Sequence, residues 1–594
     1  MKNISERARP KRVLVFSPYA LWTFHSVYEG TIAKACRARG ADVRYLLCDG
    51  LPECDQHWFS KAGGPRPDDI CQRCQAASRG NVGPTGFASE WLSQYVSRKE
   101  REDVTTWAAG LEPEAFRSVS FRDWPLGEWV ISSMNSYFRQ FPPDLASEAV
   151  VKVFRNFLVS AGTVGIALSN YLDRNEVDSA IVFNGRQSIT RVAMEICVAR
   201  GVRVLTHERG EYQREHVNVR ANAHCMSPLP FALFWREWGK VPLTREALAA
   251  ARMWLVERRY GANPAWIQFS KTVGGDSVRS RLDIPKTNRL IALFTSSTDE
   301  VAGDPLMQGP YASQEDWVRD VIEWVSKNPS IHLVIKVHPN LAGNTYIGAA
   351  TNELNFYQRI RPDLPKNVHM VMPEDNVSAY TLTDEADFGL TFGSIVGLEM
   401  ALIGKPVLLA SRAIYEHASA ILTVRSRQEL PMLLKSLMET RETREIQRQA
   451  FRIAYYAMCV CDMPFPLVKV ESLYHARETL QSLEELEPGN DPSLDRICRF
   501  LVEDGPLFEQ PSAADRARTT AEEDVFLDEL ASLPHSFREE RLERWIRLRS
   551  MGRAVKGVLI RLPFGLGERV LRVSRPGWHS MLKSVEVGKV TANK

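Results

Sequence analysis

Short runs rich in Val, Ile, Leu and Phe recur along this chain and alternate with stretches of helical spacing. RVLVFSP at 12–18 is followed by an apolar 3.6-residue pattern, a stop at Gly40 and a second run ending in DVRYLLC. DSAIVFNGRQSITRVAMEICVARGVRVLTHERG from 178 repeats that grammar, and NRLIALFTSS, HLVIKVHPN, NVHMVMP and DFGLTFGS repeat it again after 288. Continuous apolar runs of this length suit strands buried on both faces, and helices between them make the sheets parallel. The predicted fold class is therefore α/β. Ligands of such sheets bind beyond the carboxyl ends of the strands, so residues just after each run are the candidates for function.

At 594 residues the chain exceeds one ordinary core, which predicts roughly three to four units, or two large ones with appendages. The organisation expected is an N-terminal Rossmann-like unit over 1–240, carrying a cysteine segment at 48–74 and a helical insertion at 86–174. Connecting helices at 241–287 lead to a second Rossmann-like unit at 288–480, an acidic helical region at 481–540 and a basic amphipathic tail at 541–594. The sequence contains no run of ~18 consecutive apolar residues of the kind that spans a bilayer. Its start passes from a polar lead straight into an apolar strand, without the apolar segment and cleavage site of a signal peptide. A cytoplasmic location is expected.

Charge is unevenly placed. Residues 541–594 hold 13 Lys and Arg against 3 Asp and Glu, a net of +10, so the remainder carries −7 of the chain's +3. In this tail Trp545, Ile546, Leu548, Val558, Leu559, Ile560, Leu562, Phe564 and Trp578 alternate with the cations. That pattern suits an anionic membrane surface, with docking on the acidic body as the competing use. No recognisable nucleic-acid module accompanies the charge, so nucleic acid is not an expected partner.

Ten cysteines are dispersed without a secretory context, which argues against a disulfide framework. Cys48, Cys54, Cys71 and Cys74 stand apart as C-x5-C and C-x2-C, a spacing that can supply four thiolates to a structural zinc ion or an iron–sulfur cluster. The first spacing is wider than the usual knuckle, and His57 is a competing ligand.

The segment 376–410 reads as strand, glycine turn and helix. Gly393-Ser394 turns the chain, the helix start offers free N–H groups to phosphate, and Glu399 lies about one turn on, where a ribose hydroxyl is a natural partner. IKVHPN at 335–340, taken with ADFGLTFGSIVGLEMALIGKPVL at 386–408, resembles the capsule and surface polysaccharide glycosyltransferases of GT-B architecture. It is similar also to polysialyl-, Kdo- and glycerophosphate-polymer transferases. The resemblance covers roughly 12–48 and 178–410 and implies two Rossmann-like domains facing a cleft, with helical insertions and a helical C-terminal extension. A nucleotide-sugar donor would lie mainly on the second domain.

Carried onto this chain, the resemblance assigns His338 and Ser394 to the donor phosphate, with Ser296, Ser297 and Lys336 as helpers. Donors and a cation there would stabilise the negative charge of a departing nucleotide, without a catalytic metal. In the first unit FNGR at 183–186 and THERG at 206–210 both follow strands. Glu208, flanked by His207 and Arg209, is the expected base toward a glycan or glycolipid acceptor, with Asn184, Arg186 and His25 nearby. Glu29, Glu211 and Asp299 are competing carboxylates. The alternatives are a catalytically silent scaffold of a polysaccharide assembly complex, a nucleotide-sugar epimerase and a glycerophosphotransferase. Deleting 541–594 should release the protein from anionic vesicles at low salt in a sedimentation assay; undiminished binding would remove the tail from any membrane role.

Overall fold

The computed structural model describes residues 9–56, 67–210, 215–261, 277–297, 302–343, 348–375, 377–440, 443–472 and 475–532. His57, Glu211, Asp299 and the tail 541–594 lie outside the described residues.

The first sheet is built from β1 (Arg12–Ser17), β2 (Asp42–Leu47), β3 (Ala88–Trp91), β4 (Ser179–Phe183), β5 (Arg203–Arg209) and β6 (His216–Ala221). Its order is β3-β2-β1-β4-β5-β6, parallel from β3 to β5, with β6 antiparallel to β5. Val13, Leu14, Val15 and Phe16 are all buried, as a central strand covered on both faces requires. β3 falls inside the stretch 86–174 that was expected to be helical. Its ASEW sequence carries no apolar alternation, because an edge strand needs only the one ladder with β2 to satisfy its backbone on that side.

The second sheet is wholly parallel, in the order β12-β11-β10-β7-β8-β9. These strands are β7 (Arg289–Phe294), β8 (Ile331–Lys336), β9 (Val368–Val371), β10 (Phe388–Thr391), β11 (Val407–Leu409) and β12 (Leu422–Thr423). Along β7 the side chains alternate between two cores: Leu290, Ala292 and Phe294 on one face, Ile291 and Leu293 on the other. The architecture is two Rossmann-like α/β units with helical additions, as the alternation of runs leads one to expect.

Helix Glu148–Arg174 is long and apolar enough by composition to cross a bilayer, but it packs against helices Arg98–Ala109, Leu126–Phe138 and Ser188–Ala199 in the first core. The chain also returns across the molecule. After the second sheet, β13 (Asp462–Pro464) adds antiparallel to β6, and Phe465, Leu467, Leu494, Ile497 and Leu501 join the first core. Helix Ala521–Ser532 then packs back on helix Arg245–Tyr260 through Phe526, Leu527 and Leu530. There the buried Arg452 guanidinium grips the Glu523 carboxylate at both ends, at 2.8 and 2.6 Å. Leu494 is completely buried, so Leu494→Ala should cost about 2–5 kcal/mol in denaturant unfolding; a loss under about 0.5 kcal/mol would place helix Pro492–Val502 outside the core.

Candidate functional site

In an open parallel sheet the natural crevice lies where strand order reverses, because the loops there leave in opposite directions. The first sheet reverses between β1 and β4, the second between β7 and β10. His25 and Asn184–Arg186 follow β1 and β4; Ser296, Ser297, Gly393 and Ser394 follow β7 and β10, with Lys336 and His338 at the end of β8 next to β7.

On the first unit, Glu29 is fully buried between two histidines. Its Oε1 lies 3.6 Å from His25 Nδ1 and 3.4 Å from His207 Nε2, while Ser17 donates to Oε2 at 2.5 Å. His25 stacks on Phe183 with ring centroids 4.2 Å apart. Burial alone would raise the Glu29 carboxyl, but His207 and His25 outweigh it and bring it down to about 2.

Strand alternation separates residues that are neighbours in sequence. His207 and Glu208 project to opposite faces of β5, so His207 takes Glu29 as its carboxylate. Glu208 is half-buried and accepts from Asn184 Nδ2 at 2.9 Å through Oε2, and from its neighbour's amide, Arg209 N–H, at 3.0 Å through Oε1. Asn184 (φ 56°) and Gly185 (φ 74°) form a tight left-handed corner, and a Cβ at Gly185 would lie 2.9 Å from Thr206 Cγ2. Arg209 lies over the Phe24 ring, with its guanidinium carbon 4.7 Å from the centroid.

Arg186 points to helix Leu126–Phe138, where it donates to Ser132 and, at 3.4 Å, to Ser136. Ser133 donates to Asp55 at 2.6 Å and accepts from the Ser188 amide at 2.7 Å; Tyr19 and the Ser188 hydroxyl complete Asp55 at 2.8 and 3.2 Å. The next turn of that helix leaves the first unit. Arg139, in a left-handed cap (φ 53°), donates to the Asn340 carbonyl at 3.0 Å and to Ser297 Oγ at 3.5 Å. One helix thus touches the loop after β4 with its serines and the loops after β7 and β8 with its cap.

On the second unit, Thr295 Oγ1 accepts from the His338 amide at 2.8 Å, and the Gln314 carboxamide brackets the Ser296 backbone at 2.7 and 3.1 Å. The Ser296 hydroxyl is buried without a hydrogen-bond partner among the described residues. Asn340 donates to Ser297 Oγ at 3.2 Å, and its amide donates to His338 Nδ1 at 3.2 Å, which puts the proton of a neutral ring on Nε2. Burial, then Arg139 and Lys336, push His338 down to about 4, so the ring is neutral at pH 7. Lys336 is buried beside it.

Ser394 accepts from the Val396 amide at 3.4 Å, and its carbonyl accepts from Tyr415; the helix that follows, Val396–Leu402, has 7 residues. Glu399 is buried and ion-paired with Arg258.

A second crossing joins the units. Asn135 donates to the Ala302 carbonyl at 2.6 Å, and Asp304 sits 3.3 Å from His224 Nε2 and 3.5 Å from Arg191 Nη1. Trp129, Arg191, Met194, His224 and Asp304 line a cavity of about 370 Å³ there. Arg139, Asn340, Gln314, Asp55, His224 and Asp304 were not foreseen. Asn340 closes the IKVHPN motif but was not singled out within it; the others act through partners distant in the chain, and no local spacing marks them.

Among the described residues no group of three or more His, Cys, Asp or Glu side chains is gathered closely enough to hold a metal ion as the side chains stand. Cys48, Cys54, Cys71 and Cys74 nevertheless line one small cavity.

No protein-family model matches the chain, and no curated protein sequence does. Among solved structures it is similar to the beta Kdo 2,4 transferase KpsC of Thermosulfurimonas dismutans, at 16% identity over 52% of this chain and 87% of that one, TM-score 0.33. The beta Kdo 2,7 transferase KpsC of the same organism gives 13% over 48% and 79%, TM-score 0.30. The UDP-GlcNAc 2-epimerase from Neisseria meningitidis bound to UDP-GlcNAc gives 11% over 75% and 98%, TM-score 0.24. At these scores the likeness places no residue.

Because Glu29 titrates lower when folded, its contribution is complete above the ordinary carboxyl value of 4.5 and is lost as pH falls toward 2. Glu29→Gln should therefore cost about 3 kcal/mol at neutral pH and flatten the acid limb of stability measured by urea unfolding; an unchanged limb would show that the carboxylate is not held between the histidines.

Proposed function

We propose that the chain is a GT-B-like glycosyltransferase that moves a sugar from a nucleotide-sugar donor to a surface glycan or glycolipid at the inner face of the membrane. The observation that carries this reading is helix Leu126–Phe138, which joins the crevice loops of both sheets through Arg186 on one side and Arg139 on the other. Two crevices brought against one helix leave a shared cleft in which a donor on one wall meets an acceptor on the other.

The donor wall is cationic and rich in hydrogen-bond donors. Lys336 and Arg139 balance diphosphate charge, and the Nε2–H of neutral His338 adds a dipole without the cost of a third buried cation. These groups gain most as the glycosidic bond breaks and charge grows on the departing phosphate. Ser296 offers its unpartnered hydroxyl, while Gly393 and Ser394 border the same crevice.

The opposite wall carries the carboxylates. Glu29, buried and held ionised, orients His25 and His207 rather than meeting substrate. Glu208 is half-exposed and held by Asn184 in one rotamer, which suits a base taking a proton from an acceptor hydroxyl. It shares a sheet face with Thr206, whose hydroxyl donates to the Ala223 carbonyl at 2.6 Å, beside the wall of the 370 Å³ cavity. Acceptor approach from that side is part of the proposal, as is membrane docking by 541–594.

A thermal-shift series with CMP, CDP, UDP, GDP and their sugar conjugates tests the donor wall, since a ligand of the native state raises its melting temperature. One nucleotide should shift the wild type. Lys336→Ala with His338→Ala should abolish that shift, and Glu208→Gln should keep it while cutting transfer by about 100-fold or more. A folded protein that no nucleotide shifts would instead be the scaffold.

A further inference from the structure

We propose that the cavity walled by helices Leu126–Phe138 and Ser188–Ala199 binds one neutral or amino-bearing sugar unit of the acceptor glycan and rejects acidic sugars. This rests on the reading of the chain as a glycosyltransferase and names the acceptor chemistry which that reading leaves open. The walls come from both units: Trp129, Arg191 and Met194 from the two helices, His224 from the segment after β6, and Asp304 from the loop after β7. A volume of about 370 Å³ is that of a small-molecule site.

His224 shows what a guest must offer. It is fully buried, lines the cavity, and neither of its ring nitrogens makes a well-directed hydrogen bond among the described residues. The Asp304 carboxylate lies 3.3 Å from Nε2, and its charge favours the tautomer that carries the proton there. Nδ1 is then a bare acceptor, costly to leave unmet in a buried place, and a hydroxyl or amine of a guest meets it.

The charge of the lining narrows the class. Burial lowers His224 against the pull of Asp304, so the ring is neutral at pH 7. Burial would raise Asp304, but His224 and Arg191 outweigh it and keep the carboxylate ionised. Three carboxylates, Glu128, Glu195 and Asp304, therefore line the cavity against one guanidinium, Arg191, which Glu195 already engages at 2.6 Å and Asp304 at 3.5 Å. A phosphate or a sugar acid entering here meets like charge. Carboxylates accept from hydroxyl and ammonium groups, while the half-buried Trp129 ring and Met194 offer apolar surface to the C–H face of a pyranose. Several donors, one apolar face and no negative charge describe a neutral or amino sugar.

The cavity wall is also tied to the candidate base. Thr206 donates to the Ala223 carbonyl at 2.6 Å, and the Cys225 amide donates to the carbonyl of Asn184, the residue that holds Glu208, at 2.8 Å. A sugar held at His224 thus keeps a fixed relation to Glu208, which suits a unit adjoining the one that reacts.

Saturation-transfer NMR of the full chain with the methyl glycosides of glucose, N-acetylglucosamine, glucosamine and glucuronic acid tests the site without any nucleotide. At least one neutral or amino glycoside should bind, with the glucuronide about tenfold weaker or absent. Trp129→Ala should weaken that binding about tenfold. Leu229→Trp, at a rim position that is 45% exposed and so tolerates bulk, should block it, and this variant decides should Trp129→Ala fail to fold. Binding of no glycoside by the folded protein, preference for the glucuronide, or undiminished binding in the folded variants would overturn the site, even where a nucleotide still raises the melting temperature. Sugar binding that the variants abolish, in a protein that no nucleotide shifts, would uphold the sugar site and remove the transferase reading instead.

Discussion

A buried polar seam holds this molecule's two units in register. Ser132, Ser133 and Ser136 on one face of helix Leu126–Phe138 meet Arg186, the Ser188 amide and Asp55, and the Arg139 cap one turn later meets Ser297 and Asn340. Each such bond contributes about 1 kcal/mol net, but removing one partner strands another buried group at about 1–3 kcal/mol. The seam therefore selects one arrangement more than it adds stability, and that arrangement brings the crevices of both sheets to one helix. The apolar cores, by contrast, tolerate many packings of similar volume.

The two walls joined by the seam differ in electrostatic character. Around β1 and β5 the buried charge is mixed, with Glu29 held ionised between His25 and His207 and the Arg209 guanidinium buried over the Phe24 ring. Around β7 and β8 it is cationic, and the neutrality of His338 is a consequence, because Arg139 and Lys336 oppose a further positive charge in a site already short of water.

Much of this was legible in the linear sequence. The central strands of both sheets coincide with apolar runs, since burial on both faces leaves an unbroken hydrophobic signature. Residues such as His338, Ser296 and Asn184 could be singled out because each follows such a run, and parallel topology sends the ends of the parallel strands to one rim. The edge strand β3 was hidden because backbone pairing with β2 imposes no pattern on its side chains. The partners of His207 and Glu208 were hidden for a different reason: adjacency in sequence places two side chains on opposite faces of a strand.

The sequence by itself determined the class of fold, the succession of strand, loop and helix, and the kinds of groups available at strand ends. Those properties depend on local spacing, which the chain carries in its order of residues. Only the tertiary structure decided which groups meet: Glu29 with two histidines, Arg139 with the opposite unit, Glu399 with Arg258, and Arg452 with Glu523. It also decided that 463–507 closes the first core after the chain has built the second. Contacts between residues hundreds of positions apart arise from packing whole elements against one another, and no local pattern encodes that.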